Sequence, residues 1–300
     1  MLKIGVVNDL HGRVNNPISR LDNFPESILA KVEYVLKNND ITIFTGDIFN
    51  TYLTGILFVN KLLSLLVKYE CMGKTILMIE GNHDLIGRDY DSITDTSLGT
   101  LTMGRNWLLT KRYITFTGDT PIEILPMRFI EDKPVIAKSK QADSYKIVVG
   151  HAYFEHPEYN DKWHVTSEDL GGKGYDIILL GHDHQYYEPV ELKGGGFVLR
   201  SGSISRSTID ERDRELYYTQ ILIGDNEYDF KYVPLPHKPA NEVFKVEDVS
   251  KEITRHKKNM EKIIELLQVE DSKLYSIDEA LKELKCPQKY VSLIGEVLDD

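Results

Sequence analysis

The chain has 300 residues, of which 41% are hydrophobic and 28% charged, the balance of an ordinary soluble protein with room for one large α/β domain and an appendage, or for two modest domains. Its two cysteines, Cys71 and Cys286, stand far apart without a partner motif, which argues against a disulfide framework or a thiolate zinc site and for reduced thiols in a cytoplasmic compartment. A net charge of -11 argues against a general affinity for nucleic acid, although bound cations and local Lys or Arg reverse the sign inside a cleft.

From the amino terminus, KIGVV reads as a buried strand that runs into NDLHG, with no small-residue cleavage site to make it a signal peptide. Residues 25 to 38 put Ile28, Leu29, Val32, Val35 and Leu36 on one helical face. ITIFT then runs into Gly46 and Asp47, residues 55 to 70 repeat the helical pattern, and TILMIE runs into GNHD at 81 to 84. Strand and helix alternating at this spacing predict right-handed βαβ units and a largely parallel sheet. Residues 85 to 120 carry no clear period and read as a long loop region with some helix. IEILP and YKIVV return to strand, the latter running into GHAYFEH, and DIILL runs into GHDH at 181 to 184. FVLRSGS, LYYTQILIG and YDFKYVPLP read as antiparallel strands of a second sheet, and Gly194 to Gly196 as a tight hairpin.

A proline-rich stretch at 234 to 241 reads as a linker, which sets the domains at 1–235 and 236–300. Beyond it, residues 247 to 268 put Val249, Ile253, Met260, Ile263, Ile264 and Leu267 on one stripe of a charged helix. Ser276 and Glu279 form a capping box for a shorter helix, and Pro287 opens a third. No uninterrupted stretch approaches the length of a membrane span.

Five apolar strands thus end in polar clusters: Asp9 and His11; Asp47; Asn82, His83 and Asp84; His151; His182 and His184. If the strands run parallel, the clusters meet at one sheet edge, where ligands of open α/β sheets collect. Carboxylates gathered there repel one another, a cost that divalent cations remove. Nitrogen and oxygen donors without thiolate suit manganese, iron or zinc.

In this order and after strands, the series DLH, GD, GNHD, GH and GHDH resembles the calcineurin-like metallophosphoesterase superfamily over roughly the first two hundred residues. The resemblance implies an α/β fold, a two-sheet β-sandwich flanked by helices in four layers, here with a small helical C-terminal segment. It implies one divalent ion held by Asp9, His11, Asp47 and His184, and a second by Asp47, Asn82, His151 and His182, with Asp47 bridging. Two such ions share a water and lower its pKa for in-line attack on a phosphate. His83 then stabilises the transition state or protonates the leaving alkoxide. Asp84 and Asp183 are read as supporting or turn residues.

Within the superfamily, GDIFN and GNHD look like the SbcD-type nuclease subunit of DNA double-strand-break repair, as does RSGSISRST, though Arg200 stands where that family has proline. DLHGR points instead to the protein phosphatases. The nuclease resemblance implies Mn2+, double- or single-stranded DNA as substrate, an exonuclease or endonuclease role in repair, recombination or processing, a homodimer, and an SMC-like coiled-coil ATPase subunit docked on the C-terminal helices. The tail is read as a reduced cap or docking segment, or as helices packed back on their own domain. The rival functions are hydrolysis of small phosphodiesters or of phosphomonoesters including phosphoproteins, and a non-catalytic scaffold, which the complete donor set disfavours. Arg13, Arg200 and Arg206 read equally as phosphate contacts or as surface residues. His156, His164, Tyr153 and Trp163 lie near His151 and read first as loop or packing residues.

Overall fold

A computed structural model describes residues 1–130, 133–141, 143–155, 163–225 and 227–245. His156 and the expected helices beyond residue 245 lie outside the described residues.

Strands β1 (Leu2–Val7), β2 (Ile41–Thr45) and β3 (Thr75–Ile79) are joined through α1 (Phe24–Asn38) and α2 (Ile56–Cys71). Asn23 caps α1 by accepting from the Glu26 amide, and Pro25 occupies its first turn, where no amide partner is needed. Ile28, Val32, Val35 and Leu36 form its buried stripe, as the 3.6-residue period predicts. The chain continues through α3 (Ser97–Thr102), β4 (Tyr113–Thr117), β5 (Thr120–Ile130), β6 (Lys133–Ile136), β7 (Tyr145–His151), β8 (Tyr153–Phe154), β9 (His164–Val165) and α4 (Ser167–Leu170). It ends in β10 (Ile177–Gly181), β11 (Tyr187–Glu191), β12 (Phe197–Arg200), β13 (Tyr217–Ile223), β14 (Tyr228–Pro234) and α5 (Ala240–Val243).

Two large sheets result among the described residues, in the strand orders β14-β13-β1-β2-β3 and β11-β12-β10-β7-β5-β4, with β6 paired to β5, and β8 and β9 form a small third. This corrects the expectation that the C-terminal strands form the second sheet by themselves. β13 pairs antiparallel with β1 and so extends the first sheet, whereas β12 runs parallel to β10 inside the second. The physical reason is burial on both faces. Val198 and Leu199 of β12 fall in different core clusters, as residues of an interior strand must.

Period-two alternation sorts the first-sheet residues between two cores. Ile4, Val6, Ile41, Ile43, Leu77 and Ile79 face Ile122, Ile124, Ile147, Val149, Ile177 and Leu179 across the sandwich. Val7, Phe44, Ile76 and Met78 face α1 and α2 instead. A third cluster, with Val148, Ile178, Leu180, Phe154 and Trp163, covers the outer face of the second sheet beneath α4 and the β8–β9 ladder. The architecture is therefore the expected helix-flanked, two-sheet α/β sandwich.

The first compact unit ends at Phe244, beyond residue 235, and the second is Lys245–Asp300. Phe244 bridges to Arg20, and the guanidiniums of Arg20 and Arg206 lie 5.1 and 5.8 Å from its ring. No described helix is long and apolar enough to cross a membrane.

The two sheets are sewn together where their parallel strands end. Asn8 Nδ2 donates to the Leu180 carbonyl (3.1 Å), and Thr45 Oγ1 donates to Asn8 Oδ1 (2.9 Å). Within the second sheet, the Ala152 amide donates to the Gly181 carbonyl (3.2 Å) and closes the ends of β7 and β10. The carboxyl ends of β1, β2, β3, β7 and β10 thus meet at one edge of the sandwich, although they belong to two sheets.

Candidate metal centre

Asp9, His11, Asp47 and His182 all take positive φ, at 46, 48, 49 and 93°. Non-glycine residues occupy this left-handed region at a cost, and persist there when the surroundings over-determine them. The sharp turns aim successive side chains back across the strand ends. Gly81 is needed for the same packing, since a Cβ there would lie 2.1 Å from Asp47 Oδ1.

Three groups of donor atoms result, each with its atoms within 4.8 Å of one another: Asp9, His11 and His184; His11, Asp47 and His83; Asp47, His151 and His182. His11 Nε2 lies 2.8 Å from His184 Nε2 and 3.6 Å from Asp47 Oδ2. His151 Nε2 lies 3.1 Å from Asn82 Oδ1, 3.1 Å from His182 Nδ1 and 3.3 Å from Asp47 Oδ2. All eight site residues expected from the motifs therefore gather in one place. Asp9, His11, Asp47 and His151 are buried, while Asn82, His83, His182 and His184 are partly exposed at the mouth.

Main-chain groups orient these side chains. His151 Nδ1 donates to the Thr45 carbonyl (2.8 Å), which leaves Nε2 for the cluster in the neutral ring. Asp47 Oδ1 accepts from the His83 amide (3.0 Å), and Asp9 Oδ1 from the His182 amide (2.9 Å). Asp84 takes no place in the three groups. Its carboxyl accepts from the amides of Ile48 (3.1 Å), Phe49 (2.9 Å) and Gly81 (3.0 Å), and so ties the Asp47 turn to the Asn82 turn.

Burial and mutual charge divide the acids. Burial raises the Asp9 carboxyl above its ordinary range, against the pull of His151 and His184. Burial also opposes ionisation of Asp47, but His151, His83 and His11 outweigh it and hold its carboxyl well below the usual range. Burial pushes His11 well down, whereas for His151 the Asp47 and Asp9 carboxylates overcome burial and lift it to about 9.

The residues fit divalent cations. Asp9 Oδ2 is buried with no hydrogen-bond partner among the described residues, a costly state for a carboxylate oxygen. His11 and His184 turn the same type of nitrogen toward one another, which at most one proton can bridge. The donors are nitrogen and oxygen throughout, with no thiolate.

The model of one family, calcineurin-like phosphoesterase, matches residues 2–186. The chain belongs to the calcineurin-like phosphoesterase family. As a calcineurin-like phosphoesterase it is a metal-dependent phosphoester hydrolase, and divalent ions are the cofactors that the family implies. No curated protein sequence matches it. Among solved structures, this calcineurin-like phosphoesterase is similar to a dimetal phosphatase from Danio rerio (11% identity, TM-score 0.46, covering 79% of this chain and 99% of that one). It is similar also to an archaeal phosphodiesterase (14%, TM-score 0.38, 77% and 100%) and to zinc-complexed Vps29 from Entamoeba histolytica (13%, TM-score 0.36, 78% and 99%).

The secondary candidates separate. Arg200 and Arg206 are buried structural residues: Arg200 lies 4.0 Å from the Tyr187 ring centre and donates to the Phe154 carbonyl, and Arg206 donates to the carbonyls of Arg212 and Lys238. Arg13 bonds the Asn50 side chain near the mouth. Trp163 is core, stacked between Tyr90 and Phe129 at 6.0 and 5.7 Å. Tyr153 packs its ring 4.1 Å from that of His182, and His164 pairs with it across the β8–β9 ladder. Sequence reasoning missed Glu211, whose Oε1 is 3.0 Å from His184 Nδ1, because it sits in a polar loop that follows no site motif.

Proposed function

We propose that the chain is a two-metal phosphodiesterase that hydrolyses DNA, with manganese as its metal. The observation that carries the two-metal phosphoesterase reading is that three donor groups overlap at one sandwich edge, joined to one another through His11 and Asp47. On this reading Asp9, His11, Asp47 and His184 hold one cation, and Asp47, Asn82, His151 and His182 the other. Divalent cations held there would supply Lewis-acid polarisation of a phosphoryl oxygen and a bound water of lowered pKa.

The chain's own groups do the rest. Thr45 holds a proton on His151 Nδ1, so that Nε2 turns to Asn82 and Asp47. Asn50 accepts from His83 Nδ1 (2.9 Å), which leaves Nε2 of that ring as the atom that handles a substrate proton. His83 in its protonated form delivers that proton to the leaving alkoxide.

DNA as the substrate is supported by GDIFN and GNHD, which resemble SbcD-type repair nucleases. A cytoplasmic location, a homodimer and an SMC-like ATPase partner docking on residues beyond 245 belong to the same reading. Small phosphodiesters or phosphomonoesters form a second reading, favoured by the net charge of -11. The test is Mn2+-dependent cleavage of end-labelled duplex and single-stranded DNA, beside bis(p-nitrophenyl) phosphate and p-nitrophenyl phosphate. DNA cut by wild type and spared by His83→Ala is the expected result. Intact DNA with rapid hydrolysis of a small ester would transfer the chain to the second reading.

A further inference from the structure

Glu211 lies on a single 3-10 turn, Ile209–Glu211, in the polar segment that joins β12 to β13. Strand ends bring the motif residues together; Glu211 reaches the site through its own hydrogen bonds. Its Oε1 lies 3.0 Å from His184 Nδ1 and 3.2 Å from Arg214 Nη1. Its Oε2 accepts from the main-chain amides of Ser207 (2.5 Å) and Thr208 (3.2 Å). Arg214 also donates to the His184 carbonyl (2.6 Å) and to the Ser205 carbonyl, and the Ser203 amide donates to the same His184 oxygen (3.0 Å). One polar cluster therefore grips His184 at its main chain and at its ring.

The protonation pattern follows from the donors present. A carboxylate that receives a guanidinium and two amides is an acceptor with no proton to give. The hydrogen in its contact with His184 must sit on Nδ1. A neutral imidazole carries one ring proton, so Nε2 keeps its lone pair. Nε2 is also the atom that faces His11 at 2.8 Å, in the group that includes Asp9.

We infer that Glu211 is a positioning residue for metal binding, holding His184 in the tautomer and orientation that present Nε2 to the cation shared with Asp9 and His11. The inference rests on the two-metal reading above. Partners of this kind, standing behind a ligating histidine, fix the ring and raise its basicity, and their loss weakens metal affinity by about 10- to 100-fold.

The test titrates chelator-stripped, full-length wild type, Glu211→Gln and Glu211→Ala with Mn2+, reading the free ion by its electron paramagnetic resonance signal. Wild type is expected to take up two ions. Glu211→Ala is expected to hold one of them about 10- to 100-fold more weakly and the other within about twofold. Glu211→Gln keeps one acceptor oxygen where the carboxylate offered two, each facing donors, and is expected to fall between wild type and Glu211→Ala. Nitrogen-15 spectra of the metal-free proteins, with His184 assigned by the signal lost in His184→Ala, give a readout that stability alone does not move. Taken at a pH where the ring is neutral, they should show Nδ1 protonated in wild type and mixed tautomers in Glu211→Ala.

Two ions bound by Glu211→Ala as tightly as by wild type would overturn the inference and leave the two-metal reading standing. Wild type that takes up fewer than two ions would remove that reading, and the inference with it. Should Glu211→Ala lose its fold by circular dichroism, Glu211→Asp decides. One methylene shorter, it is expected to weaken the same ion at least about tenfold, and unchanged affinity would overturn the inference.

Discussion

Nδ1 of His83 lies 2.9 Å from the main-chain oxygen of Asn50, so the His83 ring is anchored at one nitrogen and offers the other. The same ring belongs to a donor group with His11 and Asp47, which leaves two roles open to it by geometry alone. Proton transfer predicts that His83→Ala lowers kcat by roughly 10²- to 10⁴-fold while the protein still binds both ions. Inductively coupled plasma measurement of bound metal beside kcat checks this. Loss of a bound ion would make His83 a ligand, and an unchanged kcat would remove it from the chemistry.

Asp84 predicts a stability effect. Its carboxyl accepts from three buried main-chain amides in two turns, so Asp84→Ala strands three donors at about 1–3 kcal/mol each. Urea unfolding of the metal-free variant should show a loss of about 3 kcal/mol or more. A loss under about 1 kcal/mol would show that the turns hold without it.

Lys31 gives a pH dependence away from the site. Burial, with Arg20 and Arg206 alongside, lowers its ammonium from 10.5 to about 7. Between those values the unfolded chain binds the extra proton, so stability should rise with pH there by about 1.4 kcal/mol per unit from this group. Lys31→Met should flatten that rise and be the more stable protein near pH 7. Urea midpoints of both proteins at pH 7, 8 and 9 check it, and parallel slopes would contradict it.

Metal removal should act on the fold as well. Cations that bind only the folded chain stabilise it by about 2.7 kcal/mol per site at a hundredfold excess over Kd. Stripping with chelator should therefore lower Tm, and Mn2+ should restore it in wild type but not in Asp47→Asn, whose change falls in two donor groups. Equal Tm with and without metal would argue against occupancy of the buried donors.

How far the sequence reached is clear from particular residues. Val7, Thr45 and Ile79 end apolar runs, and the polar residues after each run mark the site, because a strand interior has no other use for them. That β1, β2 and β3 lie in one sheet and β7 and β10 in another was hidden, since alternation reports which faces are buried and not which sheet a strand joins. Asp84 carries the residue type of a ligand, and only the amides around it reveal a structural acceptor. The links from Thr45 to His151 and from Asn50 to His83 run through main-chain oxygens, which every residue possesses and no motif can encode.

The most direct test of the central claim is hydrolysis of bis(p-nitrophenyl) phosphate by the chelator-stripped chain, before and after addition of Mn2+, beside Asp47→Asn. The account predicts no turnover in the stripped protein, turnover restored by Mn2+, and none in Asp47→Asn at any metal concentration. Turnover that persists in the stripped protein or in Asp47→Asn would contradict a two-metal site built on Asp47.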